Sequence, residues 1–439
     1  MKRNVLKMIC AILCMAMLLA LAACGGGDTP SGTQGGDVSG EAVTVTGPIT
    51  VEFWHTRTGE QGAMLAEQIK KFNETNKLGI TVVGTFQGSY YDVLNKTKTA
   101  WNSDMSPAMV LVGAGGIEEL AEGGALADMS AYVARDNWDL NNIPESLRYY
   151  TEHYEGQIIE FPYLVSSAIV YYNKDYYTSE PKTLEEQVEM AKQITANNPG
   201  VTGMALALDT GYIQRPILMS LGAPGLTTNG GKSPALLDDG TLVRHMTDWK
   251  DWIDAGFCAS VDAANSTTIM KNDFINGKLA AYTASSAAMN DVVNECLKAG
   301  INLGVAKFVG YGGYCAPIGG GGICVLSNAT AQEVAASWEF IKFLYEDDQV
   351  IENSINSGYL PYTISAAKNE KMISYWNENP LLKVAYDQLE YATYNDWSIH
   401  LEQWRDKIAL SFSDVITSRL YSPEEAVEIL RQQSKVIFK

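Results

Sequence analysis

Side chains that could carry out catalysis are scattered through this sequence and form no recognisable catalytic motif. The four histidines lie far apart, and neither His-Glu-x-x-His nor Gly-x-Ser-x-Gly occurs. Ser179 to Lys182 formally matches Ser-x-x-Lys, but its proline in a loop is a poor setting for a helix. A glycosidase needs two opposed carboxylates, and nothing selects a pair among the 51 acidic residues. The sequence therefore predicts a protein that is not an enzyme and that uses no metal or other cofactor.

Cys24 is the residue best placed for chemistry, and that chemistry is lipid attachment. Basic residues at positions 2, 3 and 7 precede 16 apolar or small residues from Met8 to Ala23. This run falls short of the ~20 residues needed to span a bilayer and is typical of a signal peptide. It ends in Leu21-Ala22-Ala23-Cys24-Gly25, which resembles the bacterial lipobox. We expect residues 1–23 to be a signal peptide and Cys24 to carry a diacylglycerol; an Ala-x-Ala site beside a chance cysteine is the alternative.

A glycine-rich segment follows the lipid site. Seven of the 16 residues from Gly25 to Gly40 are glycine and none is aromatic. Such a composition cannot bury enough surface to offset its ordering entropy. Residues 24–47 are therefore predicted to be a flexible tether that holds a soluble body above a membrane.

The remaining body is large and acidic. About 390 residues are too many for one core, so two domains are expected. The whole chain has a formal charge of −19, and removal of the basic signal peptide makes the mature chain more acidic still. Nucleic acid is excluded as a partner because polyphosphate binding needs clustered Lys and Arg. The four body cysteines permit disulfides in an exported protein, but a buried free thiol is at least as well supported for Cys324, which lies in an apolar strand-like run.

The body begins with strands and helices in alternation. Period-two and helical spacing predict strands over 49–54, 79–83 and 108–112, with helices over 60–76, 91–102 and 117–122. This rhythm indicates an α/β fold with a mainly parallel sheet and helices on both faces. Ligands of such sheets bind at the carboxyl ends of the strands, so the loops of interest are 54–56, 86–90 and 113–116.

Several motifs occur in an order that resembles family 1 extracellular solute-binding proteins of sugar ABC importers, closest to their glycerol-3-phosphate-binding branch. They cover nearly the whole body: Val51-Glu52-Phe53-Trp54-His55, Gly59-Glu60-Gln61-Gly62, Lys71 to Asn76, Pro162 to Asp175, Pro181 to Leu184, Phe274 to Ser286, Ile318-Gly319-Gly320 and Ser357 to Pro361.

The resemblance implies a two-lobe periplasmic-binding-protein fold, in which two α/β lobes close over a ligand like a hinged trap. Crossings between the lobes are expected near 164–167, between about 305 and 318, and near 357–361. Lobe 1 would then comprise 48–164 with 310–354, and lobe 2 would comprise 165–309 with 355–439.

The resemblance also implies which residues touch the ligand. Matched residue by residue, the family's pocket positions fall on Tyr90, Ser166 beside Ser167, Ser285 beside Ser286, Gly320 and Tyr359. Turn or cap roles for the serines, a mobile hairpin for Gly319 to Gly322, and a packed hinge aromatic for Tyr359 are the structural alternatives. Hydroxyls beside aromatic rings suit a sugar, which has hydroxyls on its rim and C–H groups on its faces.

Two departures from the glycerol-phosphate branch bear on the ligand. No acidic residue follows the third strand, and aligning Gln403-Trp404-Arg405 with the branch's Gln-Ile-Arg element places Trp397 where that branch has a phosphate-gripping arginine. An indole stacks on a pyranose but cannot grip a phosphate, which favours a neutral carbohydrate. Tyr394, Asp396 and Trp404 would add similar surface, with core packing as the alternative for both tryptophans, and Arg405 remains a possible phosphate contact.

Five further residues are candidates for ligand contact, and three of them are weaker. Tyr212 falls at a pocket tryptophan of that branch, and Asp209 nearby could accept bonds from two vicinal hydroxyls. Trp54, His55 and Glu60 are weaker candidates because their motif could be structural.

The expected function is therefore capture of a sugar or short oligosaccharide by a monomeric, lipid-anchored protein on the extracellular or periplasmic side of the membrane. Its expected partners are ABC permease subunits with a cytoplasmic ATPase. A binder of glycerol-3-phosphate or its diesters, a ligand-sensing surface lipoprotein and, least favoured, a secreted glycosidase are the alternatives.

Overall fold

The computed structural model describes residues 41–103, 105–148, 154, 156–260, 266–393 and 397–439, which belong to the compact unit Val38–Lys439. Cys24, the signal peptide and most of the tether lie outside the described residues, as do Tyr394, Asp396 and His153. No helix in the described ranges combines the length and apolarity needed to cross a bilayer.

Sixteen strands occur in the described part of the chain: β1 Ile49–His55, β2 Ile80–Phe86, β3 Met109–Gly113, β4 Phe161–Ser166, β5 Ala168–Asn173, β6 Met204–Ala205, β7 Thr227–Thr228, β8 Ser233–Pro234, β9 Cys258–Ala259, β10 Ala281–Ser285, β11 Leu303–Lys307, β12 Val309–Gly310, β13 Gly313–Tyr314, β14 Ala316–Pro317, β15 Gly319–Val325 and β16 Ala392–Thr393.

The α-helices of the same residues are α1 Gly59–Thr75, α2 Tyr90–Trp101, α3 Ala114–Glu122, α4 Ser130–Arg135, α5 Leu184–Asn197, α6 Arg215–Ser220, α7 Thr241–Asp254, α8 Ser266–Ile275, α9 Met289–Ala299, α10 Ala331–Leu344, α11 Asp347–Ser357, α12 Ile364–Lys368, α13 Glu370–Glu378, α14 Pro380–Asp387, α15 Leu401–Phe412 and α16 Pro423–Ile437. Short π-helical turns occur at Thr210–Gln214 and Ser413–Thr417. The six elements predicted at the start of the body are confirmed within a few residues.

Two five-stranded sheets organise the molecule. The first has the order β2-β1-β3-β15-β4, and the second has the order β11-β5-β10-β6-β9. In the first sheet β15 pairs antiparallel with both neighbours, and in the second sheet β5 does the same. Four of the five strands in each sheet therefore run in one direction. The predicted α/β class with mainly parallel sheets is confirmed.

The first sheet is covered by helices on both faces, which explains why β3 is apolar without alternation. Met109 and Leu111 of β3 pack into one apolar cluster, and Val110 and Val112 pack into another. Successive strand residues point to opposite faces, so each face must find its own apolar partner. On one face the partner is an aromatic group that includes Phe340 of α10.

The chain passes between the sheets at three places. Strand β4 ends at Ser166 and β5 of the second sheet begins at Ala168. After β11 the chain returns to the first sheet as β15, and beyond α11 Leu360 forms an isolated antiparallel bridge with Val165. The three passages therefore lie side by side where the two sheets meet.

Packing decides two questions that the sequence left open. The glycine run 319–322 is not a mobile hairpin, because it forms the start of β15 and pairs with both β3 and β4. Trp404 is not a surface platform: its side chain is fully buried and its indole Nε1 donates to the Leu226 carbonyl oxygen at 2.8 Å. The four body cysteines are buried free thiols, so the free-thiol interpretation of Cys324 is confirmed.

Candidate ligand-binding site

A cluster of three hydroxyls joins the two sheets at their junction. Ser166 ends β4 of the first sheet, and Ser285 ends β10 of the second. The Tyr212 hydroxyl lies 3.3 Å from each serine Oγ. The structure therefore brings Tyr212 together with two serines that lie 46 and 73 positions away in the sequence, in separate motifs.

Tyr212 is fixed by its own backbone turn and by a glycine opposite its ring. Asp209 precedes the π-helical turn and accepts a hydrogen bond from the Tyr212 backbone N–H at 3.0 Å. The ring lies on Gly319, where a Cβ would overlap it. Burial raises the pKa of the Tyr212 hydroxyl, so it stays protonated and can both donate and accept.

Tyr90 brings a second phenol to the site from the first sheet. A capping box between Ser89 and Asp92 starts α2 and places Tyr90 at its first position. The ring packs on Gly113 and Gly321, which have no side chains to exclude it. Burial raises the pKa of its hydroxyl, which also lies against the Tyr359 hydroxyl.

Tyr359 contacts both Tyr90 and a buried arginine, Arg57, which was not among the residues predicted from the sequence. Arg57 Nη1 donates to the Tyr359 hydroxyl at 3.1 Å, and the guanidinium carbon lies 5.2 Å from the centroid of the Tyr359 ring. Only 9% of Arg57 is exposed. The available signal was its position, because Arg57 follows β1 at the carboxyl edge where such sheets bind ligands. It was overlooked because the family motif there draws attention to its neighbours.

Ser167 and Ser286 lie in the wall behind the site. The Ser167 Oγ donates to the Pro317 carbonyl oxygen and accepts from Gln388 Nε2, both at 2.7 Å. The Ser286 Oγ accepts from the Ser167 backbone N–H at 3.1 Å. Both residues are at most 1% exposed. Their hydroxyls are engaged in holding the crossing strands together.

Gly320 has a backbone role in the same wall. Its φ is +111°, and a Cβ would overlap the carbonyl oxygen of Leu164 on the neighbouring strand. The close backbone approach expected at this glycine is therefore made to β4.

Asp209 also lines a polar cavity of about 400 Å³ beside the hydroxyl cluster. Arg405 lies across it, with Nη2 3.7 Å from Asp209 and Nη1 2.7 Å from Glu402. Gly211 provides the space that the Arg405 side chain occupies. Its polar lining also includes Thr210, Ser266, Thr267, Thr268 and Asp406. Hydrogen-bonding groups of this kind suit a second sugar unit, and the carboxylates compete with any anion for Arg405.

Trp397 contacts side chains on the first-sheet side. Its ring packs on Tyr154 with a centroid separation of 4.8 Å, and its Nε1 donates to Glu122 Oε1 at 3.0 Å. Its neighbour Ser398 is bonded instead to Gly231 on the second-sheet side. Trp397 therefore joins the two halves of the molecule.

The three weaker candidates, Trp54, His55 and Glu60, lie in different surroundings. Trp54 Nε1 donates to Glu52 on the same strand, and Glu60 is exposed on the first turn of α1. His55 is buried, and burial together with the nearby Arg57 charge lowers its pKa to about 4. Within the described residues no group of three His, Cys, Asp or Glu side chains could hold a metal ion.

This architecture, two mixed sheets joined by three crossings with polar groups at the junction, is that of a solute-binding protein. The pattern of the family "Bacterial extracellular solute-binding protein" matches residues 67–383. The chain belongs to this family.

A relative outside this chain's own sequence supports the family assignment. The sn-glycerol-3-phosphate-binding periplasmic protein UgpB of Rhizobium meliloti is 28% identical over 349 residues, covering 75% of this chain and 79% of that protein.

Solved structures share the fold. The GacH receptor of Streptomyces glaucescens, determined unliganded and with acarbose, has a TM-score of 0.75 at 23% identity, covering 89% of this chain and 98% of that one. UgpB of Mycobacterium tuberculosis, in complex with glycerophosphocholine, has the same TM-score at 20% identity and the same coverage.

Proposed function

We propose that this protein captures a sugar or short oligosaccharide at the junction of its two sheets and delivers it to an ABC importer. The observation that carries the proposal is the Ser166–Tyr212–Ser285 hydroxyl cluster, to which both sheets contribute. A ligand bonded there touches both halves at once, so binding favours the arrangement in which they meet.

The chemistry of the site matches a carbohydrate rim. Protonated phenols and serine hydroxyls both donate and accept, as sugar hydroxyls do. The faces of Tyr90 and Tyr359 supply apolar surface for ring C–H groups. Closure excludes water, which strengthens each hydrogen bond inside. The match requires no covalent step, which is why we propose a binding protein that is neither an enzyme nor dependent on a cofactor.

The two halves would act as lobes of a trap. We propose lobe 1 as residues 48–164 with 310–354 and lobe 2 as residues 165–309 with 355–439, with the hinge at the three crossings. The ligand then needs only to bind the closed state more tightly than the open state to shift the population.

Delivery would take place at a membrane surface. We propose that residues 1–23 direct export, that Cys24 carries the lipid, and that residues 24–47 tether a monomeric body on the extracellular or periplasmic side. The closed form would dock on permease subunits driven by a cytoplasmic ATPase. Mass spectrometry of the mature protein should find a diacylglycerol on Cys24, and Cys24→Ser should release the protein from the membrane; an unmodified residue 24 contradicts the anchor.

A second candidate ligand is glycerol-3-phosphate or one of its diesters. It is favoured by the names of the relatives and by Arg405 in the cavity wall. The two carboxylates that already pair with Arg405 oppose it, because a phosphate would have to displace them.

A thermal-shift screen tests the proposal. The panel holds mono- and oligosaccharides, polyols, sn-glycerol-3-phosphate and its diesters. A ligand at ~100 times its Kd adds about 2.7 kcal/mol of stability, a shift of roughly a few degrees. The shift should disappear in Tyr212→Ala. A panel without any hit contradicts the proposal, and a hit with glycerol phosphates alone selects the second candidate.

Transport and sensing are separated by deletion of the gene. Loss of ligand uptake with signalling intact supports import. Uptake that persists while a response to the ligand is lost supports a ligand-sensing lipoprotein.

A further inference from the structure

Arg57 is a buried cation that has no carboxylate partner in the described part of the chain. Its three hydrogen-bond acceptors are neutral: Gln61 Oε1 at 2.5 Å, the Tyr359 hydroxyl at 3.1 Å and Thr56 Oγ1 at 3.3 Å. Only 9% of the residue is exposed. Buried charges are normally paired, because an uncompensated charge is expensive to remove from water.

The unused donors of Arg57 lie on one edge of its guanidinium. Nη1 has two N–H groups, and these serve Gln61 and Tyr359. Nη2 donates one N–H group to Thr56, and neither its second N–H group nor the buried Nε has an acceptor among the described residues. The Nε and Nη2 donors of an arginine point in parallel and match the two oxygens of a carboxylate or phosphate.

Three titratable groups that interact with Arg57 in the described part of the chain are uncharged near pH 7. Burial, with the Arg57 charge as a second cause, lowers the pKa of His55 to about 4, so its ring is neutral near pH 7. Burial raises the pKa values of Tyr90 and Tyr163, so both phenols are protonated.

The local backbone adds positive potential. Helix α1 begins at Gly59, and its N-cap residue Thr58 makes no side-chain capping bond. A helix of 17 residues carries a partial positive charge at this end. Arg57 and the start of α1 therefore act on an anion in the same direction.

The arginine belongs to the ligand site through Tyr359. That phenol accepts from Arg57 and lies against the Tyr90 hydroxyl, and its proximity is one minor cause of the raised pKa of Tyr212 in the hydroxyl cluster. An anion on Arg57 would thus be part of the ligand that occupies the cluster.

We propose that the natural ligand carries an oxyanion group, a carboxylate or a phosphate, which the Nε and Nη2 edge of Arg57 binds. The ligand is then an acidic sugar or a sugar phosphate, with its hydroxyls on the Ser166–Tyr212–Ser285 cluster. This inference rests on the proposed function and narrows its ligand class. It also revises the neutral-sugar expectation, which considered Trp397 and Arg405 but not Arg57.

Isothermal titration of the purified protein tests the inference. The ligands are a neutral oligosaccharide series, oligogalacturonides of the same lengths, hexose phosphates and sn-glycerol-3-phosphate. The variants are Arg57→Met, which keeps an unbranched apolar stem but removes the guanidinium, Arg57→Lys, and Arg431→Met as a control. Arg431 is a surface arginine paired with Asp238 and Glu428.

We expect one acidic class to bind, with an affinity that falls as salt rises and that drops roughly a hundredfold in Arg57→Met. Arg57→Lys should recover part of this loss, and Arg431→Met should bind like the unmodified protein. Preference for oligogalacturonides identifies the anion as a carboxylate, and preference for hexose phosphates or glycerol-3-phosphate identifies a phosphate.

A stability measurement separates ligand binding from a structural role. Removing an unpaired buried cation should leave the melting temperature of the ligand-free Arg57→Met variant unchanged or higher. A lower melting temperature, with equal weakening for every ligand, would show that Arg57 serves the fold and would overturn the inference.

Two further outcomes show whether the inference alone fails or the proposed function fails with it. Neutral oligosaccharides that bind as tightly as their acidic counterparts, with or without Arg57, overturn the inference and leave the proposed function standing. Absence of binding to every carbohydrate and phosphate overturns both.

Discussion

Replacing Trp397 with alanine should weaken ligand binding about 30-fold without the indole touching the ligand. Two contacts disappear: the hydrogen bond from Nε1 to Glu122 at 3.0 Å and the ring packing on Tyr154 at 4.8 Å. The hydrogen bond is solvent-exposed and contributes about 1 kcal/mol, and the ring pair contributes about as much. If both contacts form only when the lobes meet, their loss of about 2 kcal/mol appears in Kd as a factor of about 30.

A double-mutant cycle checks this origin. Trp397→Phe keeps a ring on Tyr154 but removes the indole N–H, and Glu122→Ala removes its acceptor. Measured by isothermal titration with the ligand found in the screen, each single variant should weaken binding about fivefold, and the double variant should add little more.

A direct ligand contact predicts a different pattern. Trp397→Ala would then weaken binding strongly, while Glu122→Ala would have no effect. That result would refute the inter-lobe argument and restore the stacking platform expected from the sequence. Unchanged affinity in Trp397→Ala would refute both accounts.

Three further predictions concern the site and its frame. Tyr212→Phe removes the hydroxyl shared by two serines and should weaken ligand binding about tenfold with little change in melting temperature; unchanged affinity in titration would place the ligand elsewhere. Gly320→Ala, which combines a φ of +111° with overlap of a neighbouring carbonyl, should lower the free energy of unfolding in urea by about 3 kcal/mol, whereas Gly313→Ala, with open space around the added methyl, should lower it little. Burial lowers the pKa of His245 from 6.5 to about 3, so the unfolded chain takes up a proton below pH 6.5 while the folded protein does not. Stability from this residue is complete above pH 6.5 and should fall by about 2 kcal/mol between pH 7 and pH 5 in urea titrations, with a smaller fall in His245→Gln; an equal fall in that variant would assign the pH dependence to other groups.

The elements of the first sheet were predictable because their signals are local. The apolar spacing of β1 and α1 and the capping box at Ser89 depend on residues within a few positions of one another. The same applies to the alternation of strand and helix that indicates a mainly parallel α/β fold. The reversal of β15 was not predictable in this way, because it depends on which distant strands it lies between.

The candidate site was predicted unevenly for a related reason. Ser166 and Ser167 are neighbours, yet one faces the ligand cluster and the other is bonded within the wall. Successive strand residues point to opposite sides, and a motif that contains both serines does not state which side is the cleft. Arg57 was missed because its significance is the lack of an anion around it, which requires the positions of all its neighbours.

The sequence by itself determined the α/β class and the family, and it predicted the export signal with its lipid-site cysteine and an acidic body that disfavours nucleic acid. All of these follow from composition, local spacing or motifs in order along the chain. Only the tertiary structure decided that Trp404 is core while Trp397 spans the two halves, that the glycine run is a strand against which tyrosines pack, and that Arg57 is buried beside them. The physical reason is that burial and charge pairing are properties of a residue's surroundings in space, and residues far apart in the chain supply most of those surroundings.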